Sequence, residues 1–325
     1  MKNNKKLAIA GASALGLAVV GFGAFAFFSD SAEQNTDGTV GTVDVSSKGN
    51  LTLSNSGNIN PGDEEPGKEN RDDTTSHELN FGITNDGTKS IVTRNIIDIM
   101  VDSHYQLEAD GSLSVTEVDE NGVVNKKYIE VAEDSRVNLD PSIFHLYVKT
   151  GTEGNYTNTK IEEVSGLNTS NPIILVKGMK DGQPVEVTVE ERNDTTKIDA
   201  AGQKLVLRYI IEGATLGGTF GDGEDADTVV VDNDYVKVTA GTDANKQASA
   251  EYRYFLGMDS AQTTDPSLDG MVKNDKYQGS HLTIDLTVQA MQFRNTDAGD
   301  YVNGGDWQTV YTDTFTTGGT KTVTP

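Results

Sequence analysis

Short apolar runs separated by tight-turn dipeptides constrain the fold of this chain most strongly. Asp110-Gly111, Asn121-Gly122 and Asp181-Gly182 each divide two such runs. Two-residue hairpin turns need positive φ angles, which these residue types adopt readily, so each dipeptide predicts a β-hairpin. A helix is predicted only over residues 243–256.

Strict alternation of apolar and polar residues predicts further strands. Leu79, Phe81 and Ile83 alternate with polar neighbours, and so do the apolar residues between Leu282 and Ala290. Residues 91–101 are mostly apolar and rich in isoleucine, as in a buried strand. The fold is therefore predicted to be all-β, a jelly-roll-like β-sandwich with long insertions and few or no helices. One elaborated domain over 41–315 is favoured over two domains that meet near residues 216–228.

The charge of the chain limits its partners. A formal net charge of -24 repels the phosphates of nucleic acid, so no nucleic-acid partner is expected. The chain has no cysteine, which excludes disulfides and thiol chemistry. The densest acidic stretch is a weak candidate for calcium, although it lacks EF-hand spacing and a solvated loop is the favoured interpretation. Its acidic residues are Asp222, Glu224, Asp225, Asp227, Asp232 and Asp234.

The N-terminal segment reads as an export signal. Basic residues at positions 2–6 precede an uncharged run over 7–28. Ala24 and Ala26 stand where a signal peptidase reads small side chains, so cleavage is predicted to remove 1–26 and leave Phe27 as the new N-terminus. A retained transmembrane anchor is the alternative, because the run is long enough to span a bilayer. After cleavage no membrane contact is expected, and 316–325 reads as a polar tail.

Several motifs, in order along the chain, resemble the TasA/camelysin family. They are Ala26-Phe27-Phe28-Ser29-Asp30, Gly41-Thr42-Val43-Asp44-Val45, Asn60-Pro61-Gly62-Asp63, Asn85-Asp86-Gly87-Thr88 and Lys276-Tyr277-Gln278-Gly279. The first is similar to the signal type that the dedicated SipW peptidase processes. Residues 106–265 match nothing in the family and are interpreted as a divergent insertion region.

The resemblance implies a jelly-roll fold and a secreted structural subunit at the surface or in the biofilm matrix of a Gram-positive-type bacterium. Subunits of this type join by donating an N-terminal strand to a neighbour, which here implies residues 27–40 with Phe27 and Phe28 as anchors. The implied partners are further copies of the chain, a SipW-type peptidase and other matrix components. One branch of the family, camelysin, is described as a metalloprotease.

The residues themselves provide no sign of catalysis. A zinc protease commonly presents a His-Glu-x-x-His helix, and that motif is absent. The four histidines, His77, His104, His145 and His281, are scattered and are predicted to be isolated. No catalytic or cofactor-binding residue is therefore assigned. A camelysin-like protease and a monomeric surface adhesin remain the alternatives to a fibre subunit.

Overall fold

The structure is a computed structural model in which short connections join many strands. It describes residues 45–48, 51–54, 59, 62–67, 76–109, 111–118, 124–152, 155–165, 167, 169–218, 235–239, 241, 247–259, 275–277, 279–293 and 311–316. Within these ranges the regular elements are β-strands and single 3-10 turns, and no α-helix occurs. The all-β prediction is confirmed.

The strands, in chain order, are β1 (Val45–Ser47), β2 (Thr52–Leu53), β3 (Glu78–Asn85), β4 (Ile91–Asp102), β5 (Val115–Val118), β6 (Val124–Tyr128), β7 (Asn138–Leu139), β8 (Phe144–Thr152), β9 (Asn155–Lys160), β10 (Ile173–Lys180), β11 (Gln183–Thr188), β12 (Lys204–Leu216), β13 (Val236–Thr239), β14 (Ser249–Met258), β15 (His281–Gln292) and β16 (Tyr311–Thr316). The 3-10 turns are Glu133–Ser135, Pro141–Ile143, Ile161–Glu163, Glu190–Asn193 and Asp275–Tyr277.

Two antiparallel sheets contain most of these strands. Sheet A has the order β1-β3-β14-β8-β9, with β2 also pairing with β3 and β13 with β14. Sheet B has the order β11-β10-β12-β4-β15-β16, with β7 also pairing with β4. Strands β5 and β6 form a separate hairpin. Several sheet neighbours, such as β3 and β14, are distant in sequence, so long stretches of chain separate strands that pair.

One apolar core lies between the two sheets. Alternate residues of β14 face it from sheet A, and alternate residues of β4, β12 and β15 face it from sheet B. Burying one face of each sheet against the other is what stabilises a two-layer β fold. The inward residues of β14 are Tyr252, Tyr254, Leu256 and Met258, and those of β15 are Ile284, Leu286, Val288 and Ala290.

A polar contact in this core ties the sheets together. β12 has an irregularity between Glu212 and Thr215, and the Ala214 backbone N–H there donates to the Tyr252 hydroxyl at 2.8 Å. Thr93 of β4 lies 3.3 Å from the same hydroxyl and donates to the Ala214 carbonyl at 3.1 Å. The buried hydroxyl is thus hydrogen-bonded, as buried polar groups must be to avoid a desolvation cost.

The predicted hairpins are present wherever the structure describes them. β10 and β11 pair across Asp181 and Gly182, which have φ angles of 51° and 78°. Leu107 and Leu113 bridge around Gly111, whose φ is 84°. β5 and β6 also pair, although Asn121 and Gly122 lie outside the described residues.

The helix predicted over 243–256 is wrong. β14 occupies Ser249–Met258 and pairs with β3 on one side and β8 on the other. Tyr252, Tyr254 and Leu256 are buried at a spacing of two, which is the period of a strand. Residues on the opposite face of β14 are partly apolar too, and this blurs the alternation in the sequence.

Candidate functional site

A buried network of two acids and a histidine lies where loop 62–67 meets the end of β14. His77 Nε2 is 2.9 Å from Asp63 Oδ2, and the His77 backbone N–H donates to Glu64 Oε1 at 3.0 Å. Asn158 of β9 donates to Glu64 Oε2 at 2.8 Å and to the Glu64 carbonyl at 3.0 Å. Asp63, Glu64 and His77 are at most 2% exposed.

The local backbone explains how this loop approaches the sheet so closely. Gly62 has a φ of 93° and its N–H donates to the Met258 carbonyl at 2.7 Å. Glu64 is held at a φ of 61°, which is uncommon for a residue with a side chain. Gly257 provides the space, because a Cβ there would lie 2.4 Å from the Asp63 carbonyl oxygen.

A histidine beside a carboxylate has the composition of an acid–base pair. A general base must, however, lie within hydrogen-bond reach of the proton that it abstracts. His77 and Asp63 are covered by the protein, with side chains 1% and 2% exposed. The network therefore fastens loop 62–67 to sheet A instead of presenting a reactive group.

The same end of sheet A is acidic. Burial raises the pKa of the Tyr147 hydroxyl, and the nearby carboxylates of Asp259, Glu65 and Glu162 raise it further. His145 Nε2 lies 3.0 Å from Asp259 Oδ1. These neighbours keep the Tyr147 hydroxyl protonated at neutral pH, so it cannot serve there as an anionic nucleophile.

Two of the four histidines lie together on the outer face of sheet B. The ring centroids of His104 and His281 are 5.9 Å apart. The pairing of β4 with β15 causes this, because His281 stands opposite Asp102 and His104 follows Asp102 by two residues. His104 Nε2 also lies 3.8 Å from Glu130 Oε1. The expectation of isolated histidines missed this pair, since only the strand register brings the two residues together.

The sheet margins are a second kind of candidate site. Among the described residues, the outer edges of β9 and β11 pair with no further strand. At the opposite margin of sheet A, β1 and β2 are only 3 and 2 residues long. Unpaired backbone groups at such margins can accept an incoming strand. β11 is poorly suited to this, because Pro184 has no N–H to offer.

A comparison with known families assigns the N-terminal part of the chain. The family model described as camelysin metallo-endopeptidase matches residues 2–96. Residues 2–96 are therefore similar to the camelysin family. The matched camelysin segment includes the loop network, β3 and half of β4, and it confirms the resemblance seen in the sequence. No curated protein matches the chain.

The description of the camelysin family implies a metal ion. Among the described residues, no three histidine, aspartate or glutamate side chains converge as they stand to hold one. The only histidine of the camelysin segment is His77, which is buried against Asp63. A catalytic zinc centre needs three protein ligands and an open position for water, and this arrangement does not fit it.

The residues that the sequence singled out as sites lie outside the described parts of the chain. This holds for the predicted cleavage residues Ala24 and Ala26, for the anchors Phe27 and Phe28, and for the six weak calcium candidates between 222 and 234. They remain predictions. In the part of the chain that the structure describes, there is no helix of the length and apolarity needed to cross a membrane.

Proposed function

We propose that this protein is a secreted structural subunit that polymerises into extracellular fibres by N-terminal strand donation. The observation that carries the proposal is the position of β1. This strand begins at Val45, a few residues after the predicted donor segment 27–40, and it forms a margin of sheet A. Val45 itself is 1% exposed and belongs to the core. The donor segment is therefore joined to a strand that is anchored in the core.

The donor segment is long enough to reach another subunit. Fully extended, residues 27–40 span roughly 45 Å, at about 3.3 Å per residue. An incoming strand would satisfy the unpaired backbone groups of a neighbour's sheet, and side-chain pockets would set its register. Phe27 and Phe28 are its large apolar side chains. Cleavage after Ala26 would release them and couple export to assembly.

The proposal is tested by deleting residues 27–38 from the mature protein. The deletion ends before β1, so the sandwich should fold and the circular dichroism spectrum should not change. We expect a soluble monomer by light scattering and no fibres by electron microscopy. Mature protein with the segment intact should form fibres under the same conditions.

A matched pair of variants separates the anchors from the rest of the segment. Phe27→Ser with Phe28→Ser should abolish fibres, whereas Ser29→Ala with Ser31→Ala should leave them intact. Identical fibres from the truncated protein would rule out strand donation by this segment. Absence of fibres from the intact mature protein would rule out the structural role itself.

Two other functions belong to different classes. The description of the camelysin family as metallo-endopeptidases supports a secreted metalloprotease. Chelator-sensitive casein cleavage by the purified protein would be the decisive result. A surface adhesin would remain monomeric and bind a host protein or glycan. The all-β architecture suits both alternatives, but neither gives a role to the segment that precedes β1.

A further inference from the structure

We propose that β9 is the edge that receives the donated strand, so that residues 27–40 of one copy extend sheet A of the next copy. This acceptor role rests on the proposed function, because it supplies the edge that strand donation needs. β9 (Asn155–Lys160) is the last strand of sheet A, and among the described residues no further strand pairs with its outer edge. Backbone donors and acceptors at such an edge can pair with an incoming strand.

The β9 edge is held firmly by its neighbours. β9 pairs with β8 over six consecutive residues without a bulge. The Thr150 hydroxyl of β8 donates to the Thr157 carbonyl at 3.2 Å and lies 2.7 Å from the Thr159 hydroxyl. Asn158 of β9 donates to the Glu64 carboxylate at 2.8 Å. The edge is therefore preformed, which lowers the entropic cost of adding a strand to it.

Alternate residues of β9 direct their backbone groups away from β8. Only two residues separate the paired Thr152 and Asn155, so this pair closes a two-residue hairpin and exchanges both of its hydrogen bonds. Because hydrogen-bonded and non-hydrogen-bonded pairs alternate, the backbone groups of Tyr156 and Asn158 point outward. The Tyr156 side chain is 42% exposed, which gives an incoming strand an apolar surface beside these groups.

β9 lacks the features that usually protect an edge strand. Proline, bulges and charged side chains keep edges from pairing with another chain. β9 has no proline, and Lys160 at its end is its only charged residue. β11 of sheet B contains Pro184 and Glu186. β13, which pairs with β14 on the same side as β8, has only four residues. Of these three edges, β9 offers the longest unprotected stretch.

The positions of donor and acceptor favour a second copy of the chain as the occupant. The donor segment joins sheet A through β1 at one margin, whereas β9 lies at the other, with β3, β14 and β8 between them. Four strand spacings of about 4.8 Å put these margins roughly 19 Å apart. A contact between different surfaces of identical copies is heterologous, and it builds an open filament where the rotation does not close a ring. Strand donation across sheet A would therefore propagate from copy to copy.

The donor segment matches the β9 edge in length and in charge. Six residues of β9 extend over roughly 20 Å, and residues 27–40 span roughly 45 Å, at about 3.3 Å per residue. The segment can therefore cover the edge and still reach back to β1. It has no proline, and its charged residues, Asp30, Glu33 and Asp37, are all acidic. Lys160 is basic, so the charges of the two strands are complementary.

The test combines two variants of the mature protein. One lacks residues 27–38 and keeps the β9 edge. The other, Tyr156→Pro, keeps the donor segment but loses an outward N–H of β9. Each variant alone should remain monomeric by light scattering, whereas their equimolar mixture should form a 1:1 dimer through one donated strand. Tyr156→Phe, which keeps the N–H and the aromatic ring, is the matched control and should form fibres like the intact mature protein.

A second measurement leaves β9 unaltered, so it is decisive even if Tyr156→Pro folds poorly. A synthetic peptide of residues 27–40, added to the truncated protein, should slow hydrogen exchange at residues 155–160 and leave residues 183–188 of β11 unchanged. Fibres from Tyr156→Pro alone, or peptide protection anywhere except 155–160, would overturn the acceptor role and leave strand donation in place. Absence of fibres from the intact mature protein would overturn the proposed function, and the acceptor role with it.

Discussion

Asp98 of β4 belongs to a network of charged side chains from four strands of sheet B. Its two carboxylate oxygens accept from Arg208 of β12 at 2.6 and 2.7 Å, and Lys177 of β10 lies 2.6 Å from it. Arg208 also donates to Glu186 of β11 at 2.7 and 2.8 Å. The Asp98 side chain is only 4% exposed, so the network is poorly screened by solvent.

The variant Asp98→Asn should destabilise the protein by about 2–3 kcal/mol, because it leaves the half-buried Arg208 with one carboxylate instead of two. Chemical denaturation followed by circular dichroism measures this. Asp285→Asn is the control, since Asp285 stands opposite Asp98 in register and no salt bridge engages it in the described residues. Removing a like charge there should be neutral or slightly stabilising. An equal loss of stability in both variants would show that the ion pairs of Asp98 contribute nothing specific.

The contact between Asp63 and His77 cannot be predicted from the sequence. Asn60-Pro61-Gly62-Asp63 is one of the motifs that carry the family resemblance, but nothing in its spacing indicates that Asp63 contacts His77. That contact depends on the fold of loop 62–67, which rests on Gly257 almost two hundred positions later in the chain. Contacts made by long-range packing leave no periodic signal in the sequence.

At the scale of elements, the sequence predicts a strand reliably where its apolar–polar alternation agrees with which residues the fold buries. β3 and β15 are recognisable in the sequence because their apolar residues alternate with polar ones, and the opposite sheet buries that apolar face. β14 shows this alternation less clearly because its outer face also carries a buried aromatic residue, Phe255, at 1% exposure. An apolar residue on the outer face weakens the polar alternation from which a strand is predicted.

The docking of loop 62–67 onto β14 yields an element-scale prediction. Gly257→Ala would place a Cβ 2.4 Å from the Asp63 carbonyl and 2.7 Å from the Tyr147 ring. The backbone cannot move aside as the end of a flexible side chain can. We therefore expect the substitution to lower the free energy of unfolding by about 2–3 kcal/mol and to release loop 62–67 from β14. Denaturation measures the cost, and faster hydrogen exchange at residues 62–67 reports the release.

Gly178→Ala in β10 is the comparison for that substitution. Its Cβ would meet the Cδ1 atom of Ile198 at 2.7 Å, which is the far end of a side chain that can rotate. The loss in the free energy of unfolding should therefore be smaller, at about 1 kcal/mol or less. Hydrogen exchange at residues 62–67 should not change. If Gly178→Ala were the more harmful of the two, the loop contact would not be the important constraint.

At the scale of the whole molecule, the family match and the two-sheet architecture cover different parts of the chain. The camelysin match ends at residue 96, within β4. Strands β8, β12 and β14, all from the stretch without a family match, nevertheless lie inside the two sheets. The one core is therefore built from matched and unmatched sequence together, which is why motifs alone could indicate the all-β class but could not give the strand order.

Buried tyrosines also set an alkaline limit to the stability of the protein. Burial raises the pKa of five tyrosines above the ordinary value of 10.0. They are Tyr147, Tyr209, Tyr252, Tyr254 and Tyr277. A group whose pKa is raised in the folded state contributes stability that is complete below its unfolded pKa. That contribution is lost as the pH rises, because the unfolded chain releases the proton more readily.

We therefore expect stability to be insensitive to tyrosine ionisation below about pH 9 and to fall steeply above pH 10, by up to about 1.4 kcal/mol per pH unit for each buried tyrosine. Tyrosinate absorbance at 295 nm and circular dichroism, followed through the same titration, test this. The buried tyrosines should ionise only as the β signal disappears, so a large part of the absorbance change should coincide with unfolding. Complete ionisation of all 11 tyrosines while the β signal persists would contradict it, because it would mean that the buried hydroxyls reach solvent in the folded protein.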